Sequence, residues 1–162
     1  MKKQLACRQA LVSFFIPLFG FFALTGRPAH ALDRYYCAVD DPLVKLVVEM
    51  AFREDAGWPL AYLRGVIVFK PGTKQTLEGQ LSLAGGDVKQ YWRDGETLRL
   101  YTSSRSGTNE DVSLVSLLLE SHVTPDDINV FRGGYTISVQ PPVLGPGQKP
   151  VQQKGSLTCN RF

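Results

Sequence analysis

The sequence predicts an all-β domain, an antiparallel barrel or sandwich of about seven to eight strands with its two ends joined by a disulfide. Three observations predict it. Short apolar runs alternating with polar residues recur between Gly, Pro and Asp punctuation, as in residues 44–52 and 135–140. The pair Asp94-Gly95 separates two such runs, which is the signature of a hairpin. Cys37 and Cys159 sit at opposite ends of the chain that remains once a leader is removed.

The leader comes first. Lys2, Lys3 and Arg8 precede an apolar run over residues 10–24, and Ala29-His30-Ala31 follows as a small-x-small cleavage signature. The run is about fifteen residues and is broken by Pro17 and Gly20, short of the roughly twenty that a membrane-spanning helix needs. Residues 1–31 therefore read as a cleavable bacterial secretory signal, and residues 32–162 as one exported β-domain, periplasmic or secreted, with no transmembrane segment after processing. Cys7 leaves with the leader, and no cysteine follows the cleavage site to carry a lipid.

Removing the leader also changes the charge. The whole chain holds 18 Lys and Arg against 15 Asp and Glu. Lys2, Lys3, Arg8 and Arg27 depart while every acid stays, so the mature domain is close to neutral. Its apparent basicity belongs to the leader, and nucleic acid is not an expected partner. In an oxidising compartment Cys37 and Cys159 are expected to pair. Closing a loop of roughly 120 residues is worth about 5 kcal/mol in the chain-entropy model.

Each element has its own pattern. Residues 44–52 place Val44, Leu46, Val48, Met50 and Phe52 on one parity and Lys45 and Glu49 on the other, the period of a half-buried strand. Gly57-Trp58-Pro59 then breaks the chain before residues 61–69, apolar on both faces and expected to be central. Residues 76–83 alternate and stop at Ala84-Gly85-Gly86-Asp87. Residues 88–93 and 96–102 should pair through a type I′ turn at Asp94-Gly95, and Lys89, Arg93 and Arg99 fall on one parity around it. A polar loop over 103–110 leads to residues 112–123, whose Leu and Val content suits a buried strand and leaves a helix as the alternative. Thr124-Pro125-Asp126-Asp127 offers a helix cap with room for one turn. Gly133-Gly134 introduces the strand 135–140, the Pro-rich stretch 141–150 reads as an exposed loop, and residues 153–159 close the chain as a last strand.

Chemistry is sparse by comparison. The mature chain holds one histidine, His122, and alternation sends its neighbour Ser121 to the opposite face, so the two do not form a dyad. No catalytic residue is expected, and the domain reads as non-enzymatic. Asp40-Asp41 and Asp126-Asp127 are explained as turn and cap residues, and no metal or cofactor is expected. Trp58, Tyr62, Tyr91, Trp92 and Tyr101 are candidates to line a site for an apolar or sugar ligand, since an eight-stranded barrel holds one small molecule. Ordinary cross-strand packing is the competing role, and alternation separates Tyr91 from Trp92.

The segment Ser104-Arg105-Ser106-Gly107 is similar to the Ser-x-Ser-Gly stretch of bacterial periplasmic inhibitors of C-type lysozyme, and Tyr35-Tyr36-Cys37 with Cys159 resembles their cysteine frame. The likeness covers about ten residues, and Glu110 stands where those inhibitors carry a tyrosine. It implies a small exported barrel that binds a protein through Ser104, Arg105, Ser106 and Gly107. The expected function is accordingly binding of another exported or envelope protein, with a cell-wall hydrolase as the sharpest case. A small ligand inside the barrel, or an accessory role in the envelope, is the alternative.

Overall fold

The computed structural model describes residues 31–54, 57–71, 79–107, 112–142 and 149–162. The predicted leader up to His30, the first part of the strand predicted at 76–83, Glu110 and the middle of the Pro-rich stretch lie outside the described residues. Nine strands and one 3-10 turn are the regular elements among those described: β1 (Leu32–Asp40), β2 (Val44–Arg53), β3 (Leu60–Phe69), β4 (Gly79–Ala84), the turn Gly85–Asp87, β5 (Val88–Arg93), β6 (Thr97–Ser106), β7 (Ser113–Thr124), β8 (Asp127–Gln140) and β9 (Val151–Arg161). They form one antiparallel sheet in the order β4-β3-β2-β1-β9-β8-β7-β6-β5, rolled into a nearly closed barrel.

The count of nine conceals a simpler plan. Every hydrogen-bonded pair is antiparallel, including β1 with β9. Following the reversals from β1 in both directions around the sheet gives β4 and β5 the same sense. They are two halves of one bent strand, interrupted by Gly85–Asp87. The first half pairs with β3 and the second with β6, and β4 and β5 do not pair with each other. The wall thus has eight staves, one of them broken, which reconciles the expected seven to eight strands with nine segments.

Alternation fills the inside. Tyr35, Phe52, Leu46, Met50, Ile67, Leu98, Leu100, Leu117, Leu119, Phe131, Tyr135 and Ile137 are fully buried and belong to one cluster that draws on the whole wall. Tyr35 packs edge-on to Phe52 and Phe131, with centroids 5.8 and 5.3 Å apart, a favoured aromatic geometry. Arg34, Lys45, Arg64, Arg99, Glu120, Arg132 and Lys154 point outward and are exposed. This polarity is the reverse of the lipid-facing apolar band of a membrane barrel. Among the described residues no helix is long and apolar enough to cross a membrane.

The first and last of the described strands meet in the wall. Cys37 and Cys159 lie directly opposite each other on β1 and β9 and form a buried disulfide. Phe162 N–H donates to Arg34 O at 3.0 Å just beyond it.

Several local expectations are corrected. One is borne out: the segment expected as a buried strand at 112–123 is strand from Ser113, as β7, and the helix alternative falls away. Thr124-Pro125-Asp126-Asp127 does not start a helix: Thr124 pairs with Asp127 across a two-residue turn, and the Thr124 hydroxyl donates to Asp127 O at 3.0 Å. Proline's fixed φ serves a turn as well as a first helical turn. Gly133 and Gly134 lie inside β8 instead of preceding it. A β-carbon at Gly133 would lie 2.6 Å from Ser121 Cα, so β7 and β8 approach too closely for any side chain there. The 94–95 hairpin pairs as expected, but its turn is not type I′, since Gly95 has a positive φ of 102° and Asp94 does not. Instead Asp94 Oδ1 accepts from Glu96 N–H at 3.1 Å and Thr97 N–H at 2.8 Å. The predicted loop at 103–110 begins later, because Ser103 to Ser106 complete β6.

Candidate functional site

The predicted site residues divide between the two faces of the wall. On the inside, at one mouth of the barrel, Asp33 accepts hydrogen bonds from Tyr35 Oη at 2.7 Å, from Arg93 Nη2 at 3.1 Å and from Arg161 Nε. Arg93 Nε also donates to Tyr35 Oη. The Arg93 guanidinium stands over the rings of Trp58, Tyr35 and Phe131, 4.9, 5.2 and 5.8 Å from their centroids, where cation–π attraction adds to its ion pair. Trp58 is held there at φ +46°, a left-handed conformation unusual for a bulky residue. Tyr91 lies nearby, its Oη accepting from Leu60 N–H at 3.2 Å across the break between β5 and β3, and its ring 5.8 Å from Phe52. Trp58 and Tyr91 are therefore parts of a packed plug.

At the other end of the barrel Tyr135 Oη donates to Asp41 Oδ2, and Asp41 Oδ1 accepts from Leu43 and Val44 N–H at 2.9 and 2.8 Å. Burial, followed by the bond to Asp41, pushes the Tyr135 phenol up to about 12. Burial also drives Tyr35 well above the usual tyrosine range, reinforced by its bond to Asp33. Burial pushes the Asp41 carboxyl up, but the bonds from Tyr135, Leu43 and Val44 together outweigh it and hold the group below its ordinary value.

The outer face carries the accessible candidates. Tyr62, on β3, donates to Glu49 Oε1 at 2.6 Å, and Arg64 grips the other oxygen at 2.8 and 2.6 Å. These bonds, Tyr62 first and Arg64 second, hold Glu49 below the usual carboxylate range. Tyr62 is thus committed to a surface ion pair away from the other aromatics.

Trp92 and Tyr101 lie together. Gln90 faces Tyr101 and Trp92 faces Arg99 across the β5–β6 pair, which makes Trp92 and Tyr101 diagonal neighbours within reach of one another. Trp92 is 59% exposed and Tyr101 38%. Neither ring is loose: Trp92 Nε1 donates to Asp94 Oδ2 at 3.0 Å, and Tyr101 Oη reaches Ser116 Oγ at 3.4 Å. The bond from Trp92 is the main reason the Asp94 carboxyl sits below its ordinary value. With Gln90, Arg99, Leu118 and Glu120 they line a groove of about 210 Å³. That is smaller than a typical small-molecule pocket and suits one or two side chains.

Register extends this groove. Gln90, Tyr101, Leu118, Thr136 and Lys154 form one row across five strands, and Trp92, Arg99, Glu120, Gly134 and Ser156 form the next. A second groove, lined by Leu118, Glu120, Gly134, Thr136 and Lys154 among others, continues from the first through their shared Leu118 and Glu120. Arg99 Nε meets Glu120 Oε1 at 3.3 Å between the two.

The predicted recognition loop is split by its strand geometry. Ser104 points inward and is buried, so it is corrected from a partner-contacting residue to a wall residue. Arg105 is exposed on the same outer face of β6 as Tyr101 and lines a shallow groove with Leu114, Gln140, Pro141 and Pro142. Ser106 is half-buried and Gly107 turns with φ +122°. His122 is exposed on the outside of β7 with Nδ1 3.3 Å from Thr97 Oγ1, while Ser121 points inward to Leu98 O at 3.4 Å, as alternation requires. Among the described residues no cluster of three or more His, Cys, Asp or Glu has the arrangement of a metal site.

Leu118, Glu120, Gly134 and Lys154 were not singled out in the sequence. Only the strand register assembles them. No protein-family model, no curated protein and no solved structure matches the chain.

Proposed function

We propose that this is a non-catalytic exported domain that holds a partner protein on the outer wall of β5 to β9. The observation that carries the reading is the pair Trp92 and Tyr101, both exposed, both held in place by side-chain hydrogen bonds, and set beside Arg99 in a continuous groove. Trp, Tyr and Arg are the residue types that dominate binding energy at protein interfaces. Rings already fixed lose little conformational freedom when a partner covers them. Inhibition of a cell-wall hydrolase is the sharpest form of the proposal, and Arg105 on the same outer face of β6 is consistent with it. The disulfide is compatible with export. An internal ligand site gains no support, because Trp58 and Tyr91 pack into the barrel plug and Tyr62, Trp92 and Tyr101 point outward.

The experiment is affinity capture from envelope extract with the disulfide-bonded chain, its Trp92→Ala variant and a Tyr36→Ala variant altered elsewhere on the outer wall, followed by a panel of cell-wall hydrolases. The expected result is a specific partner lost with Trp92→Ala and kept with Tyr36→Ala. Identical capture by all three, or a retained small molecule without a protein, overturns the proposal. The chain has two tryptophans, so Trp58→Phe leaves Trp92 as the sole fluorescent reporter, and its emission should shift to shorter wavelength on binding.

A further inference from the structure

The groove differs from end to end, and that asymmetry describes its occupant. At the β5–β6 end it is aromatic, with Trp92 and Tyr101 on either side of Arg99. In the middle Leu118 forms an apolar floor and Arg99 is engaged by Glu120. On β8 the outward position opposite Glu120 is Gly134, so the floor there is bare backbone. At the β9 end stands Lys154, exposed and with no hydrogen-bond or ion-pair partner among the described residues.

An apolar anchor point and a free cation therefore lie on one line across the strands. Tyr101 on β6 and Lys154 on β9 share a register row and are three strand spacings apart, about 14 Å at roughly 4.8 Å per spacing. An extended polypeptide rises about 3.3 Å per residue, so about four residues cover that distance. Resting on the binding reading above, we propose that the occupant is an extended segment of the partner protein that seats an apolar or aromatic side chain between Trp92 and Tyr101. About four residues away, the same segment places an Asp or Glu carboxylate on Lys154. The bare floor at Gly134 admits the backbone between the two anchors. A neutral glycan would satisfy the aromatic end and leave the ammonium unused, so charge complementarity favours the acidic peptide.

The test is selection of short random peptides displayed on phage against the disulfide-bonded chain, run in parallel on Trp92→Ala and Lys154→Glu. Both positions are exposed, and circular dichroism confirms that each variant is folded before selection. The wild-type chain should enrich an apolar or aromatic residue with an acid about four positions away, and Trp92→Ala should lose that enrichment. Lys154→Glu should invert the second preference from Asp and Glu to Lys and Arg, changing the acid-to-base ratio by at least about tenfold, the factor that 1.4 kcal/mol represents. Trp92-dependent enrichment with no acidic preference, or with a preference that Lys154→Glu leaves unchanged, overturns this inference and leaves the proposed function standing. Absence of any Trp92-dependent enrichment overturns both.

Discussion

Arg93 illustrates how a residue's role depends on the turn beside it. Numerical parity groups it with Arg99, but the hairpin register pairs Arg93 with Leu98 and Trp92 with Arg99, so Arg93 enters the barrel while Arg99 stays outside. Its side chain and that of Asp33 are almost wholly buried, 1% and 3% exposed, and Asp33 serves Arg161 as well. Breaking such a pair leaves buried positive charge uncompensated, so Asp33→Asn should lower stability by about 3–5 kcal/mol in a denaturant titration. Asp33 was legible in principle, since Asp33, Tyr35, Cys37 and Val39 alternate with Arg34, Tyr36, Ala38 and Asp40. An acid heading an apolar stripe beside the predicted cleavage signature disguises that strand. A second prediction concerns the two buried phenols. Tyr35 and Tyr135 hold their protons more tightly in the folded chain than in the unfolded one. Their contribution to stability is therefore complete below about pH 10 and falls as pH rises above it, being lost through about pH 12 for Tyr135 and at still higher pH for Tyr35. In an alkaline titration, the tyrosinate absorbance of these two should appear together with loss of the β-sheet circular dichroism signal.

At the scale of the strand, the positions that blur the pattern are the informative ones. In β7 the inward set Ser113, Val115, Leu117, Leu119 and Ser121 alternates with an outward set containing Leu114 and Leu118. Those two leucines made a helix plausible from sequence, and both line outer grooves, Leu118 in the candidate site and Leu114 beside Arg105. The breach in alternation thus marks the outer grooves, one of which is where the proposed partner would sit. Glycine behaves similarly. Gly133-Gly134 suggested a break because glycine usually punctuates, but inside a tightly paired strand it marks close approach instead. Gly155 on β9 makes room for the Tyr135 ring, where a β-carbon would lie 2.5 Å from Cε1. Gly155→Ala should therefore displace that ring from Asp41 and cost about 1–3 kcal/mol, the usual range for overpacking. The measurement is the unfolding midpoint compared with Tyr135→Phe, which loses the hydroxyl and keeps the ring. Equal stability of wild type and Gly155→Ala would rule out this account.

For the molecule as a whole, the sequence conveyed the all-β class, the pairing of residues 88–93 with 96–102 and the disulfide, but not the strand order. It left barrel and sandwich unresolved, because closure depends on β1 finding β9 and on the two halves of the broken strand choosing different partners. Neither event has a local signature. The Cys37–Cys159 bridge lies at that long-range closure, with a sequence separation of 122. Reducing it should cost about 2–5 kcal/mol of unfolding free energy, measured with and without reductant. The interruption at Gly85–Asp87 lies roughly half a circumference from the bridge, and Gly85 and Gly86 are both exposed with open space beside them. The barrel is therefore two complementary pieces, β1 to β4 and β5 to β9, linked by one short exposed turn and joined covalently on the far side. A protease site placed between Gly85 and Gly86 should yield a nicked protein that migrates as one species until its disulfide is reduced and then separates into two fragments, making this chain a natural template for a split reporter whose reassembly is governed by redox state.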